Sequence, residues 1–405
     1  MSVLSGKKIV LGISGGIAAY KTATLVRLFI KAGAHVQVIM TPASKDFVTP
    51  LTLSTLSKNP VYSTFYKEED ENAQWNNHVE LGLWADLMII APATANTLSK
   101  MANGNCDNLL IATYLSAKCP VYFAPAMDLD MYKHPSSIAS FTALKSFGNI
   151  MIPAESGELA SGLMGEGRMA EPENIVDFIE NDLESKLPLL GKKILITAGP
   201  TYEAIDPVRF IGNHSSGKMG FEIAKCAEKL GATVILISGP THLTTQDLNI
   251  NVVRVTSAQE MYDACHLYYD GVDVAICAAA VADYKPKLVA KQKIKKVEEE
   301  FTIQLEKTQD ILAYLGRIKN NQLLIGFALE TENEIENAKL KIQKKNLDLI
   351  VLNSLQDEGA GFAKSTNKVT FIDKDFVIES MPLKSKELVA EDILNKVIAY
   401  YEKNS

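Results

Sequence analysis

Asn213-His-Ser-Ser-Gly-Lys218 places amide, imidazole, hydroxyl and ammonium groups just ahead of a helical pattern. The pattern runs through Phe221, Ile223, Ala224, Ala227 and Leu230, and the stretch before it opens as the strand Lys193–Thr197 and breaks at Gly199-Pro200. Free backbone N–H groups at a helix N-terminus favour an anion, and parallel α/β domains bind ligands at such strand-to-helix crossings. Phosphate or carboxylate binding is the chemistry this predicts, with Ser215, Ser216 and Lys218, together with Arg209 upstream, as candidate substrate ligands. Ser215 taken alone reads equally well as an ordinary helix cap. The spacing differs from Gly-x-x-x-x-Gly-Lys-Ser/Thr, so this is no Walker A loop.

A second polar set lies near the N-terminus. Gly12-Ile-Ser-Gly-Gly-Ile17 follows a strand but is not Gly-x-Gly-x-x-Gly, and the next strand ends at Met40-Thr41 without the acid that binds an adenosine ribose. A mononucleotide suits it better than a dinucleotide. Gly15 and Gly16, followed by Ile17 and Ala18, can bring backbone close to a phosphate, and Thr41 and Ser44 can add hydroxyls. Pro92-Ala93-Thr94-Ala95-Asn96-Thr97 ends a third strand with further small polar groups. Each segment singly could be a helix cap; together at three strand ends they predict a ligand. His78 lies in a polar segment before a buried strand, where a histidine is also commonly a packed or surface residue.

Cations and one carboxylate recur in the second half. Asp283 follows the strand Val274–Ala278, Lys293 sits in a charge-rich loop, Phe327 ends a strand, and Lys341 and Lys345 share one helix face. Phe327 could equally be core, and the two lysines solvated.

These groups need two frameworks. A chain of 405 residues exceeds one typical core. Two Gly-Lys-Lys entries, at 6–8 and 191–193, each start a new α/β unit, and the boundary is expected near Leu190, giving domains 1–190 and 191–405. Ile9–Ile13, His35–Met40, Leu87–Ala91 and Val121–Ala124 predict a buried parallel sheet, with helices over Thr22–Lys31 and Asn105–Ser116. Val234–Ser238, Val274–Ala278, Leu323–Ala328 and Leu349–Leu352 predict a second, with helices over Met219–Leu230, Ala258–Tyr269 and Glu332–Asn346. Val369–Ile372 and Phe376–Glu379 predict a hairpin. The expected fold class is α/β: two doubly wound, Rossmann-like domains with mainly parallel sheets, the first flavodoxin-like.

The net charge of −7 argues against nucleic acid as a partner. Five cysteines without a Cys-x-x-Cys pair argue against a disulfide framework or structural zinc. No apolar run approaches the ~20 residues of a membrane span, and no signal-peptide core precedes the first strand, so a cytoplasmic enzyme is expected.

The run 196–220 closely resembles the signature of phosphopantothenate–cysteine ligases. Ser14–Ala18, Asn77–Leu81, Ala91–Thr97, Pro125–Met131 and Gly165–Met169 resemble the FMN-dependent phosphopantothenoylcysteine decarboxylases. The resemblance covers nearly the whole chain, in the order of the fused bacterial enzymes of coenzyme A biosynthesis. It implies a C-terminal domain that activates phosphopantothenate as a cytidylate with CTP and Mg2+ or Mn2+ and couples it to L-cysteine. The N-terminal domain then decarboxylates the product to phosphopantetheine. By the same resemblance, FMN would supply the reversible hydride acceptor for the cysteine thiol that makes loss of CO2 possible.

The resemblance makes His78 the active-site base and places Met127, Asp128, Ser161, Arg168 and Met169 around the substrate. It gives Asp283 to the metal, Lys293 to phosphates or the activated acyl group, Asn213 to the acyl-nucleotide, and Phe327 to the base. Ala278, Ala279, Ala280, Gln309, Asp310, Ile311, Leu312, Lys341 and Lys345 complete the nucleotide site. CTP rather than ATP follows from the fusion, not from any residue. Relatives assemble through trimeric flavin domains and dimeric ligase domains, so a homo-oligomer is expected.

Two positions depart from the family pattern. Asp128 stands where Asn usually holds the substrate carboxylate, and a carboxylate there opposes another unless it is protonated, turned away or bridged. Ser161 stands where a Cys is the proton donor, and a hydroxyl is a far weaker acid than a thiol; the alternatives are a water positioned by Ser161 or another acid, with Cys106 and Glu166 as candidates. Rival readings are a non-enzymatic FMN-binding regulator, a peptidyl-cysteine decarboxylase-like flavoprotein and an NAD(P) oxidoreductase.

Overall fold

A computed structural model describes residues 2–66, 75–158, 162, 164–245, 248–295, 302–330, 332–354 and 365–404. Contacts divide the chain into two units, Met1–Ser185 and Lys186–Ser405.

In the first unit the strands Lys8–Ile13, His35–Met40, Leu87–Ala93, Val121–Pro125 and Ile150–Met151 form a parallel sheet of spatial order 2-1-3-4-5. Alternate side chains point to opposite faces. Ile9, Leu11, Val36 and Ile89 therefore join one core, and Val10, Ile39, Met88 and Ile90 the other. The helix Thr22–Lys31 has the expected limits. The segment expected as helix over 105–116 begins at Leu109, because the Asn108 side chain caps it by accepting from the Ile111 amide at 3.1 Å. A hairpin, Glu155–Glu158 with Met164–Arg168, lies outside the main sheet.

In the second unit the parallel strands Lys193–Ala198, Thr233–Ser238, Ile250–Arg254, Val274–Cys277, Leu323–Glu330 and Leu349–Ser354 take the order 3-2-1-4-5-6. Val369–Asp373 and Ile378–Ser380 extend the sheet antiparallel, as the expected hairpin. Ile194, Ile196, Val234 and Leu236 face one core, and Leu195, Ile237, Ala275 and Leu324 the other. Both orders reverse direction beside the first strand of their sheet, and crevices open there beyond the strand C-termini. No helix among the described residues is long and apolar enough to cross a membrane.

Candidate active sites

In the first unit the chain leaves the strand Lys8–Ile13 at Ser14. Its buried hydroxyl donates to the Pro92 carbonyl at 2.6 Å and accepts from the Thr94 amide at 3.0 Å. One serine thereby ties the loops on both sides of the switch point. A Cβ on Gly15 would sit 2.8 Å from the Ala43 Cβ and 2.9 Å from the Ala43 carbonyl carbon, so only glycine lets these loops meet. They enclose a cavity of about 910 Å³, lined by Gly15, Gly16, Ile17, Ala18, Thr41, Thr94, Ala95, Asn96 and Thr97 on one side and Met127, Asp128, Arg168 and Met169 on the other.

Three expected ligands do not line it. Ser44 is fully buried and donates to the Thr41 carbonyl at 2.7 Å, Pro92 gives its carbonyl to Ser14, and Ala93 is buried in its strand. They shape the loops from below. Thr41 Oγ1, by contrast, is buried on the wall without a hydrogen-bond partner. A buried hydroxyl left bare costs about 1–3 kcal/mol unless a ligand meets it. That orphan hydroxyl and the close glycine cradle fit a phosphorylated flavin.

Sequence reading missed the brace behind Arg168. The Arg168 guanidinium pairs with Glu171 at 2.5 Å, and Glu171 also takes the ammonium of Lys21 at 3.0 Å. Lys21, 5% exposed, donates further to the Met169 carbonyl at 2.8 Å. A Cβ on Gly167 would lie 2.4 Å from the Met127 carbonyl oxygen, so this glycine, at φ +135°, lets the hairpin close on the Met127–Asp128 segment. Lys21 first, and then Arg168, hold the Glu171 carboxyl below its ordinary range.

Replacing Glu171 by alanine should therefore lower stability by roughly 1 kcal/mol, the half-exposed carboxylate being screened, or ~2–4 °C in melting temperature. A depressed carboxyl stabilises above its unfolded pKa and ceases to as pH falls through its folded value. The difference between the two proteins should thus be full above about pH 5 and close in acid below about pH 4. Melts across that range check it.

His78 opens the helix His78–Trp84, capped by Asn77, and meets the rings of Phe65 and Trp75 edge-on at 6.0 and 6.3 Å. It does not line the cavity, and its Nδ1 is buried without a partner. Asp128 lines the cavity and caps the helix Leu129–Lys133, accepting from the Leu129 amide at 2.7 Å. Ser161 lies outside the described residues. Neither Cys106 nor Glu166 lines the cavity.

A second cavity, of about 760 Å³, lies beyond the strands Lys193–Ala198 and Val274–Cys277. It gathers Asn213, Ser215, Ser216 and Lys218 with Ala278, Ala279, Ala280 and Asp283, and with Gln309, Asp310, Ile311, Leu312, Phe327, Lys341 and Lys345. Asn213 fastens two of these segments, its Nδ2 donating to the carbonyls of Ala280 at 3.0 Å and Val281 at 3.2 Å. The helix Lys218–Lys229 starts from Gly217 at φ +81°, and a Cβ on Gly220 would lie 2.6 Å from the Ala198 Cβ, so the helix enters tight against the strand. Ser215 and Ser216 accept from the amides of Gly217 at 3.3 Å and Lys218 at 3.4 Å.

Lys341 pairs with Glu330 and Lys345 with Asp310, each at 2.8 Å. Asp310 also caps the helix Ile311–Ile318. That helix approaches Lys345 closely: a Cβ on Gly316 would sit 1.8 Å from the Lys345 carbonyl oxygen, and the Asn346 side chain donates to the Gly316 carbonyl at 2.9 Å.

Two expected residues stand apart from this cavity. Arg209 and Lys293 do not line it. Arg209 donates to the Ile294 carbonyl at 3.1 Å, and the buried Asp206 carboxylate accepts from the amides of Val208, Arg209 and Ile294. Burial opposes the Asp206 charge, but those amides outweigh it and hold the carboxyl below its ordinary range. The Lys293 loop is thus anchored to the segment carrying Arg209. Among the described residues no three His, Cys, Asp or Glu side chains converge to hold a metal. The wall carries the carboxylates of Asp283 and Asp310, the latter paired with Lys345, and Mg2+ binds through one or two carboxylates plus substrate phosphates.

Comparison with known proteins bears on both units. A flavoprotein family model matches residues 2–184, and one described as the DNA/pantothenate metabolism flavoprotein C-terminal domain matches 189–401. The chain is 45% identical over 399 residues to the coenzyme A biosynthesis bifunctional protein CoaBC of Bacillus subtilis (strain 168), covering 98% of each. It is 44% identical over 400 residues to the protein of that name from Vibrio vulnificus (strain CMCP6), again covering 98% of each. It is also 53% identical over 356 residues to a cysteine/cysteine sulfinic acid decarboxylase of an unknown prokaryotic organism, covering 87% of this chain and 99% of that one.

Proposed function

The chain belongs to the family of bifunctional coenzyme A biosynthesis proteins, which join a flavoprotein decarboxylase to a phosphopantothenate–cysteine ligase, and on that premise we propose how its two cavities divide the work. Residues 1–190 act as the decarboxylase and 191–405 as the ligase. The observation that carries this is the second cavity, where residues from well-separated segments meet beside a strand switch point.

A carboxylate is inert towards an amine until it acquires a leaving group. In the ligase half CTP supplies one; Asp283 would hold the Mg2+ that shields its phosphates, and the faces of Phe327 and the Gln309–Leu312 segment hold the base. Asn213 fixes the Ala280–Val281 backbone where the acyl phosphate forms. Lys293 and Arg209, whose two segments are tied together, reach the substrate when those segments close over it and exclude water. The amine of L-cysteine then takes the acyl group, and the acyl C–O bond breaks with its electron pair leaving on CMP.

In the decarboxylase half FMN, when bound, supplies the reversible hydride acceptor that makes loss of CO2 possible. Gly15, Gly16 and Thr41 hold its phosphate, and Thr94–Thr97 its polar groups. Arg168, braced by Glu171, pairs with the substrate anion against the Met127 and Met169 walls. Asp128, as a helix cap, turns one oxygen towards the Leu129 amide and so away from a substrate carboxylate. His78 moves the proton. It lies outside its own chain's cavity, so a second copy delivers it across a homo-oligomer contact; Ile17, Tyr20 and Leu83, all more than half exposed, supply apolar surface for one.

The test is incubation with phosphopantothenate, L-cysteine, Mg2+ and either CTP or ATP, read by mass spectrometry. Phosphopantetheine with CMP is the expected result. Phosphopantothenoylcysteine alone, or an enethiol lighter by two hydrogens, would sink the decarboxylase half at Ser161 and Asp128 while sparing the ligase.

One observation favours a second reading. Asp128 puts a carboxylate where the family pattern has an amide, and a carboxylate pairs with the α-ammonium of an unacylated cysteine. The name of the relative at 53% identity describes action on that amino acid. Cysteamine released from L-cysteine without phosphopantothenate would establish this reading, and its absence at complete turnover of phosphopantothenoylcysteine would dismiss it.

A further inference from the structure

Five lysines line the second cavity: Lys218, Lys307, Lys341, Lys345 and Lys386. Lys341 and Lys345 are neutralised by Glu330 and Asp310. Lys386 is different. It is 6% exposed, its amide donates to the Ser365 carbonyl at 3.1 Å, and its ammonium has neither a hydrogen-bond nor an ion-pair partner among the described residues. It is the first residue of the helix Lys386–Asn404, which packs along the helix Lys218–Lys229. Two helices thus begin side by side at one end of the cavity, each with a lysine as its first residue. Burial, and then the charge of Lys218, push the Lys386 ammonium down. The side-chain amides of Asn353 and Asn367, bonded to each other at 3.1 Å, also line this cavity.

A largely buried lysine that lines the cavity beside a second positive charge is unfavourable by itself. It becomes favourable when a multiply charged anion arrives, and the positive ends of two helix dipoles add to the attraction. Phe327 and the Gln309–Leu312 segment serve the base in the reading above, and Lys341 and Lys345 are already paired with carboxylates, so the departing phosphates need cations elsewhere on the wall. We propose that Lys386, with Lys218, seats the polyphosphate tail of the nucleotide and holds it as pyrophosphate departs. This rests on the cavity being the nucleotide site.

In the step served, an oxygen of the substrate carboxylate bonds to the α-phosphorus. The bond from that phosphorus to the α–β bridging oxygen breaks, and its electron pair leaves on pyrophosphate. No proton moves. Negative charge grows on the departing group, where the two ammonium groups already stand.

The test uses the full chain, inorganic pyrophosphate as probe, and the variants Lys386→Met, Lys386→Gln and Lys386→Arg. Lys386→Met should melt no lower than the parent without ligand, because it removes an ammonium that partial burial and Lys218 both disfavour while keeping an apolar stem. Its affinity for pyrophosphate should fall roughly 10- to 100-fold, the range for one charged hydrogen-bond partner, with KM for CTP raised. Lys386→Arg should recover part of the loss, and Lys386→Gln carries the test if Lys386→Met fails to fold. Unchanged pyrophosphate affinity in either folded lysine-free variant would overturn the proposal. So would weakened binding of phosphopantothenate with pyrophosphate binding intact, which would make the substrate's own phosphate the occupant. Absence of nucleotide turnover in the parent protein would instead overturn the reading of the cavity itself.

Discussion

Gly15→Ala should yield a full-length protein that purifies with bound flavin reduced at least roughly tenfold and still joins phosphopantothenate to cysteine. The added carbon has nowhere to go, since it would meet the Ala43 Cβ at 2.8 Å and the Ala43 backbone at 2.9 Å. Ala43 cannot yield freely. It sits in the short 3-10 helix Pro42–Asp46, fastened by the Ser44 hydroxyl to the Thr41 carbonyl. Relief must come from parting the two loops, which carries Thr41 and its unpartnered hydroxyl away from the phosphate they are placed to meet. Overpacking of this kind costs about 1–3 kcal/mol, enough to empty the site without unfolding a domain. Flavin absorbance per chain, beside pyrophosphate release in the ligase reaction, checks both halves at once. Stoichiometric flavin in the variant would show that the glycine cradle is not the phosphate seat.

Asn213→Asp should lower ligation by roughly two to three orders of magnitude, on the order of 3–4 kcal/mol, with decarboxylation of supplied phosphopantothenoylcysteine unchanged. The native Nδ2 donates to two carbonyls, those of Ala280 and Val281. Aspartate has nearly the same shape but, when ionised, only accepts. Carboxylate and carbonyl oxygens would then face one another, and the segment bearing Asp283 would shift. Asn213→Ala removes the clasp without adding repulsion, so its activity should fall between that of the parent and that of Asn213→Asp. Steady-state rates with CTP decide it, and an aspartate variant as active as the parent would mean that the clasp is incidental.

The fold was legible where local pattern and tertiary role agreed. The helices Thr22–Lys31 and Ala258–Tyr269 repeat apolar residues at helical spacing, and the buried strands are short apolar runs bounded by glycine or polar residues. The edge strand Ile250–Arg254 escaped notice because only one flank is covered and its residues are partly exposed. The hairpin that carries Arg168 escaped because Glu155–Glu158 and Met164–Arg168 are rich in glycine and charge.

Candidate ligands on strand ends, such as Thr41, Thr94 and Asp283, could be found because strand topology itself delivers them to the cavities. Lys21, Glu171 and Lys386 could not. Each acts through partners far away in the sequence or, for Lys386, through lacking one among the described residues, and no local spacing encodes that. His78, Arg209 and Lys293 have family motifs to mark them, yet they stand outside the cavity walls of the single chain.

Gly316 lies beneath Lys345, with no room for even a methyl group. Its substitution would push one helix away from another and carry the Lys345–Asp310 pair along. A survey of inactivating changes should therefore flag Gly316 beside residues that touch the nucleotide, although it offers no functional group. The same rigidity limits how resistance could arise. A chain evolving to escape an inhibitor that grips Lys345 cannot loosen that grip by enlarging the floor beneath it, and must alter the walls that its own nucleotide uses.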